Sequence, residues 1–327
     1  MEEMKAMFGK TLGTDGLYRG GAARFAASAI LATGMLWFAI PTCAQQPGQK
    51  TFPSAKEATS ALISALQAND SSALTVILGP DAKDILSSGD EVEDKNDRDQ
   101  FVEKYQQMHR MVREPDGTTT LYIGAENWPS PIPLMRKGSS WYFDAAAGKQ
   151  EILYRRIGKN ELAVIQVCRE LVDAENEYYS KPHDGNPRME YAQKFFSDPN
   201  KHNGLYWKAS AGEEQSPIGP LVASAAAEGY VRDPGQAQQP FQGYSFRVLT
   251  GQRGTVAGGA RSYISNGKMT AGFAFVAYPA EYRSSGVMTF IVDKDGIVYE
   301  KDLGPNTAAI AKSLAQYDRN ASWRKSD

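Results

Sequence analysis

Cysteine and histidine are nearly missing from this sequence, and their scarcity removes the commonest routes to a chemically active site. The 327 residues include two cysteines, Cys43 and Cys168, and three histidines, His109, His183 and His202. No two histidines lie within five residues of each other, so no short pair of zinc-site spacing exists. Asp184-Gly185-Asn186 lacks the alternating oxygen ligands and closing glutamate of a calcium loop, and Asp293-Lys294-Asp295-Gly296 is more simply a hairpin turn. The stretch from Gly251 to Gly259 has no GxGxxG and no Walker lysine. No metal site and no cofactor is expected. A strong charge imbalance is lacking too: the formal charge is −2, with no basic footprint for nucleic acid and no acidic tail.

One apolar stretch does stand out. Arg19 and Arg24 precede Phe25 to Ile40, FAASAILATGMLWFAI, and then come Pro41-Thr42-Cys43-Ala44 and a polar run from Gln45. A basic segment, sixteen apolar residues and small residues before a cut after Ala44 have the layout of a secretory signal peptide. A membrane anchor needs about twenty apolar residues. The expected divisions are a signal peptide over 1–44, a leader over 45–53, an N-terminal α+β domain over 54–156 and a C-terminal α+β domain over 157–327. If Ala44 is the cleavage point, Cys168 is left without a disulfide partner. Export would place the chain in the periplasm or at the cell surface, with an uncleaved signal segment as its only route to a membrane.

The longest helical periodicity runs from Ile157 to Ser180. Leu162, Ile165, Cys168, Val172 and Tyr179 share a face that Val164, Leu171 and Tyr178 widen. Arg169, Asp173, Glu175, Asn176 and Glu177 read as the solvated side. Cys168 reads as a small buried hydrophobe.

Before that helix, Ser54 and Glu57 form a capping box for a helix through Leu66. Further helices are expected over Ser71 to Leu78, Ala82 to Leu86 and Arg98 to Arg110, with an acidic loop from Gly89 to Asp99. Strands follow at Thr118 to Gly124, Trp128 to Lys137 and Gly138 to Asp144, the middle one interrupted by three prolines. Helices followed by a small antiparallel sheet define an α+β unit, similar in order to the nuclear-transport-factor cone. After the long helix, Met189 to Phe196 and Leu221 to Ala227 read as short helices, and Asp233 to Gln242 as a loop. Gly243 to Leu249, Ala271 to Tyr278, Val287 to Val292 and Ile297 to Glu300 form a four-stranded antiparallel meander, its last turn marked by Asp295-Gly296. The long helix is the expected cover for its apolar face.

The helix AVIQVCRELVDAENEYYS with GYSFRVL, GFAFVAYP and GVMTFIVDKDGIVY resembles the globular region of type IV pilins and pseudopilins, although no pilin processing site is present. The segments ENWPSPIPL, WYFDAAAGKQEILYRRIGKNELAVIQVCRELVDAENEY, GLYW, GKMTAGFAFVAYPAEY and SGVMTFIVDKDGIVYEKDLGP resemble an uncharacterised family of exported bacterial proteins, defined only as a domain of unknown function (number 2950). That resemblance implies export and a shared fold, and brings no activity or catalytic residue.

The candidate ligand or interdomain cluster is Lys149, Glu151, Arg155, Arg156 and Asn160, with Trp128 and Trp141 as aromatic walls. Two adjacent arginines suit a carboxylate or phosphate in a cleft, and equally suit ion pairs that fix two domains. The expected role is a non-catalytic interaction or ligand-binding module with a possible envelope protein partner. An accessory of a pilus or secretion assembly and a hydrolase of unfamiliar type are the alternatives.

Overall fold

The computed structural model describes residues 45–210, 212–230 and 239–326. The signal segment read over 1–44 lies outside the described residues, as do residues 231–238 of the loop before the second sheet.

Local sequence explains the first lobe. Helix α1 (Ala55–Gln67) starts where Ser54 Oγ accepts from Glu57 N at 3.1 Å, and α2 (Ser71–Leu78) where Asp70 does the same for Ala73 N. A single 3-10 turn, Pro80–Ala82, leads into α3 (Lys83–Leu86). Helix α4 (Glu91–Gln107) begins well before the Arg98 that its apolar spacing suggests. The expected acidic loop is its opening turns: Asp90 caps Glu93 N, and Glu91, Glu93 and Asp94 sit at the positive end of the helix dipole. The helix also stops early, and His109–Arg113 form strand β1. Strands β2 (Thr119–Ile123), β3 (Trp128–Pro129), β4 (Leu134–Lys137) and β5 (Ser140–Phe143) complete an antiparallel sheet of order β1-β2-β4-β5, with β3 paired to β2.

Helix α5 (Ala145–Tyr179) is 35 residues long, roughly 50 Å, and runs unbroken through residue 157. It starts earlier than the Ile157-Gly158 pair implies, because Asp144 caps Ala147 N and three alanines favour the first turn. Gly148 is not a break: a Cβ there would lie 2.4 Å from Pro131 O, so its bare backbone permits close packing on the β3–β4 connection.

Along its length α5 serves two cores. Ala145, Ile152 and Leu153 join the core of α1, α2, β4 and β5, whereas Val164, Cys168, Leu171 and Tyr178 belong to the core of the second sheet. The buried ladder runs 164–168–171–175–178, which corrects two expectations. Leu162 lies off it and is 70% exposed, while Glu175 lies at its centre and is fully buried. Glu175 Oε2 accepts from Ala192 N at 2.9 Å, and Oε1 has no partner. Cys168 is buried and unpaired, its thiol pushed up to about 12 by burial, as suits a packing residue.

Met189 to Phe196 is not helical. Tyr191 N donates to Met269 O at 2.7 Å, and the Tyr191 and Phe195 rings pack against Phe273 and Phe275, so tertiary contacts override local periodicity. Helix α6 (Gly219–Ala227) precedes the second sheet. Its long strands are β6 (Tyr244–Leu249), β11 (Ala274–Pro279), β12 (Met288–Asp293) and β13 (Tyr299–Asp302), with four two-residue strands between the first pair: β7 (Gly251–Gln252), β8 (Arg261–Ser262), β9 (Ile264–Ser265) and β10 (Lys268–Met269). The expected meander is present, and β14 (Arg324–Lys325) adds a fifth strand in the order β14-β13-β12-β11-β6. Gly296 turns the β12–β13 hairpin at φ +72°, with its N–H on Asp293 O. Helix α5 covers one face through β11 and β12, and α7 (Thr307–Ser313) packs on β11. Among the described residues no helix is long and apolar enough to cross a membrane.

Two tests follow from this packing. Arg247 of β6 donates to Ala311 O, Lys312 O and Leu314 O at 2.6, 2.8 and 3.2 Å, ending α7 with a fixed positive charge. Arg247→Ala is expected to cost about 2 kcal/mol in urea denaturation and to speed proteolysis of the tail. Burial holds the Glu175 carboxyl well above its usual 4.5, with the Ala192 hydrogen bond opposing. A raised carboxyl contributes stability that is complete below the unfolded pKa and is lost as pH rises through the folded one. Glu175→Gln is therefore expected to raise Tm over wild type at pH 8 and to lose that advantage toward pH 5. A difference that does not change with pH, measured by scanning fluorimetry, would contradict the shift.

Candidate functional site

Between the two cores α5 carries polar residues instead of apolar ones, and they meet the start of α4 and the β11–β12 loop. Arg156 is buried, with Nη1 donating to Asp84 O at 3.0 Å and Nη2 to Ile85 O at 2.6 Å, in the last turn of α3. Its Nη2 also lies 4.0 Å from Asp94 Oδ1. Four residues on, Asn160 is fully buried and donates to Ser285 O at 3.0 Å, while its Oδ1 has no partner. Glu161 Oε1 accepts from Val287 N and Met288 N, both at 2.9 Å, where β12 begins. Ser284 Oγ donates to Ser87 O at 3.1 Å, closing the seam from the sheet side.

The α4 side of this seam is acidic. Asp90 Oδ2 accepts from Tyr230 Oη at 2.9 Å and from Gly243 N at 3.0 Å, in addition to capping α4. Gly243 sits at φ +72°, and a Cβ there would lie 2.4 Å from Asn160 Nδ2, so the turn into β6 requires glycine. Glu93 is buried and ion-paired with Lys159, which also reaches Asp97 at 3.2 Å. Burial pushes the Glu93 carboxyl up against the pull of Lys159. Asp94 is likewise raised by burial, opposed by the Ser88 N–H that bonds both of its oxygens at 3.1 and 2.9 Å.

Beside the seam a wide-mouthed cleft of about 710 Å³ opens between α4, α3 and α6, in the size range of small-molecule sites. Leu86, Asp94, Lys95, Arg98, Glu228 and Gly229 are among its walls. Asn96 Nδ2 donates to Glu228 O at 2.9 Å and spans α4 to α6. Arg98 Nη1 donates to Leu86 O at 3.2 Å, while its buried Nε has no partner. The cleft therefore places the Arg98 guanidinium in the same wall as the fixed Asp94 carboxylate.

The residues singled out from sequence are divided by the fold. Arg156 and Asn160 lie in the seam, and Lys149 touches its margin through an ion pair with Asp84. Glu151 and Arg155 pair with each other at 2.7 Å on the exposed side of α5, with the Arg155 guanidinium 5.0 Å from the Trp128 ring. Trp141 is elsewhere, on β5, where its backbone bridges Phe52 and its ring packs on the first core. Trp207 belongs to the second core, between His183 and His202. His109 places Nδ1 2.9 Å from Tyr105 O in the last turn of α4. Asp90, Glu93, Asp94 and Arg98 were not singled out, although Asp90-x-x-Glu93 is a helix-start signature that would have placed them on α4.

Among the described residues, two cores and a buried polar seam, with a polar cleft beside it, make one compact α+β unit built on a shared helix. The chain belongs to the family of proteins of unknown function DUF2950, whose model matches residues 49–326. No curated protein and no solved structure matches it.

Removing the Arg156 charge strands Ile85 O, leaves Asp84 O only the Ser284 hydroxyl at 3.3 Å, and leaves Asp94 buried beside no cation at that position. Arg156→Met is expected to lower the unfolding free energy by about 3 kcal/mol in urea titrations. A loss below about 1 kcal/mol would show that the seam does not depend on it.

Proposed function

We propose that the chain is an exported envelope protein acting as a binding module, and that the cleft between α4 and α6 holds its ligand. The observation that carries this reading is Arg98: its guanidinium lines a ligand-sized cleft with a single hydrogen bond, to Leu86 O, in the same wall as a carboxylate already tied down by Ser88. A guanidinium at such a place suits an anionic group, which it binds directionally. Export rests on the Arg19, Arg24 and Phe25 to Ile40 pattern with its cut after Ala44. A second reading, an accessory of a pilus or secretion assembly, draws on α5 lying across an antiparallel meander.

The test joins fractionation to a binding assay. Mature protein from the envelope fraction is expected to begin at Gln45. In scanning fluorimetry with succinate, glutamate and citrate, at least one is expected to raise Tm, since a ligand at a hundred times its Kd stabilises by about 2.7 kcal/mol. Arg98→Ala is expected to abolish that rise. A rise that survives the substitution would move the ligand out of the cleft, and an unprocessed cytoplasmic chain would remove the export reading.

A further inference from the structure

Strand β1 ends the first sheet, and its outer side is unpaired. The order β1-β2-β4-β5 makes it an edge, and among the described residues no strand adds to it. The hydrogen-bond phase is set at both ends, because Glu114 N donates to Thr118 O and Gly124 N to Met108 O, each at 2.9 Å. With Arg110 opposite Tyr122 and Val112 opposite Thr120, these two residues direct their backbone groups at β2. His109, Met111 and Arg113 therefore turn their N–H and C=O groups outward, three donors and three acceptors along roughly 13 Å. Every β1 residue except the half-buried Val112 is exposed, and Met111 and the preceding Met108 are 40% and 44% exposed. No proline or bulge blunts this edge.

The charge of the edge indicates what it takes. Arg113 has no carboxylate within ion-pair distance among the described residues. Arg110 is held by Asn127 Oδ1 at 2.8 Å and lies 4.5 Å from the Tyr122 ring, which fixes its direction without neutralising it. A second copy of this chain, paired antiparallel about Met111, would set His109 against Arg113 and Arg110 against Val112, and so bring no acid to either arginine. We propose that β1 is a docking edge for an extended acidic segment of a partner protein, which adds as a further strand. Main-chain bonds to His109, Met111 and Arg113 supply the pairing, and the guanidinium groups of Arg110 and Arg113, on opposite faces of the strand, select carboxylates three positions apart. Nothing in this proposal depends on the cleft.

The experiment uses the full exported chain and fluorescein-labelled valine-rich peptides with glutamates three positions apart, with lysine at the same positions as control, read by anisotropy. The acidic peptide is expected to bind saturably and the basic one not at all. Met111→Pro deletes one outward N–H while leaving the β1–β2 bonds intact, as proline is tolerated on the open side of an edge strand. Met111→Pro and Arg113→Glu are each expected to weaken binding about tenfold or more, with Tm within about 2 °C of wild type. Should Met111→Pro fold poorly, hydrogen exchange on the unaltered chain replaces it: the amides of 109, 111 and 113 are expected to slow when the acidic peptide is added. Absence of binding would overturn the proposal. So would weakening by Arg113→Glu alone without amide protection, which is surface attraction and not strand addition. Dimerisation of the chain that Met111→Pro abolishes would assign the edge to a second copy and overturn the acidic partner.

Discussion

Everything in this molecule depends on one helix that has to satisfy two cores in succession. The 35 residues of α5 enter the first core at Ala145 and leave the second at Tyr178, so the lobes share a rigid element where a linker would leave them free to move. The difficulty lies between the cores, where the helix is still buried but packs against helix ends and loop carbonyls. An apolar residue at 156 or 160 would leave Ile85 O or Ser285 O without its donor. Arg156 and Asn160 are the polar answer to that geometry. They cost desolvation, as Asn160 Oδ1 still lacks a partner, but they fit only one arrangement of α3 and the β11–β12 loop around the helix.

The same economy places acids at the start of α4. A helix N-terminus buried against another lobe needs capping and negative charge, and Asp90 gives both while also accepting bonds from Tyr230 and Gly243. Glu93 and Asp94 extend the acidic end to Lys159 and Arg156 on α5. The burial that raises both carboxyls measures what the junction costs, and their α5 partners limit that cost. The cleft lies beside this construction, where Asn96 ties α4 to the end of α6.

Sequence reading succeeded where one local signal coincided with tertiary structure. Ser54 with Glu57, the alternation through Tyr244, Phe246 and Val248, and the Asp295-Gly296 turn each fixed an element that the structure contains. It faltered where burial was polar or tertiary. Glu175 stands at the centre of the core ladder of α5, and no hydrophobic pattern can place a carboxylate there. The acidic run after Gly89 resembled a solvated loop because its acids serve a helix end, not a face. Strand β1, HRMVR, has no apolar alternation, since it is an open edge whose pairing comes from the hairpin through Asp116 and Gly117. Of the candidate site, Arg156 and Asn160 were legible as members of a charged and polar cluster at the junction of the two halves. Asp94 and Arg98 were not, because the cleft forms only when α4 and α6, far apart in sequence, come together.

Helix α4 also sets how the two candidate surfaces relate. Its first turns wall the cleft, and its last turn passes through Met108 alone into β1. From Arg98 to Gln107 the helix rises by nine residues, roughly 14 Å. No small molecule touches both, so a ligand at Arg98 and a strand on β1 are separate events on one rigid rod. An extended segment of about five residues would cover that distance. A partner that used both surfaces would therefore need only a short tether between its strand and its anionic group, and its affinity would gain from effective concentration without any further contact.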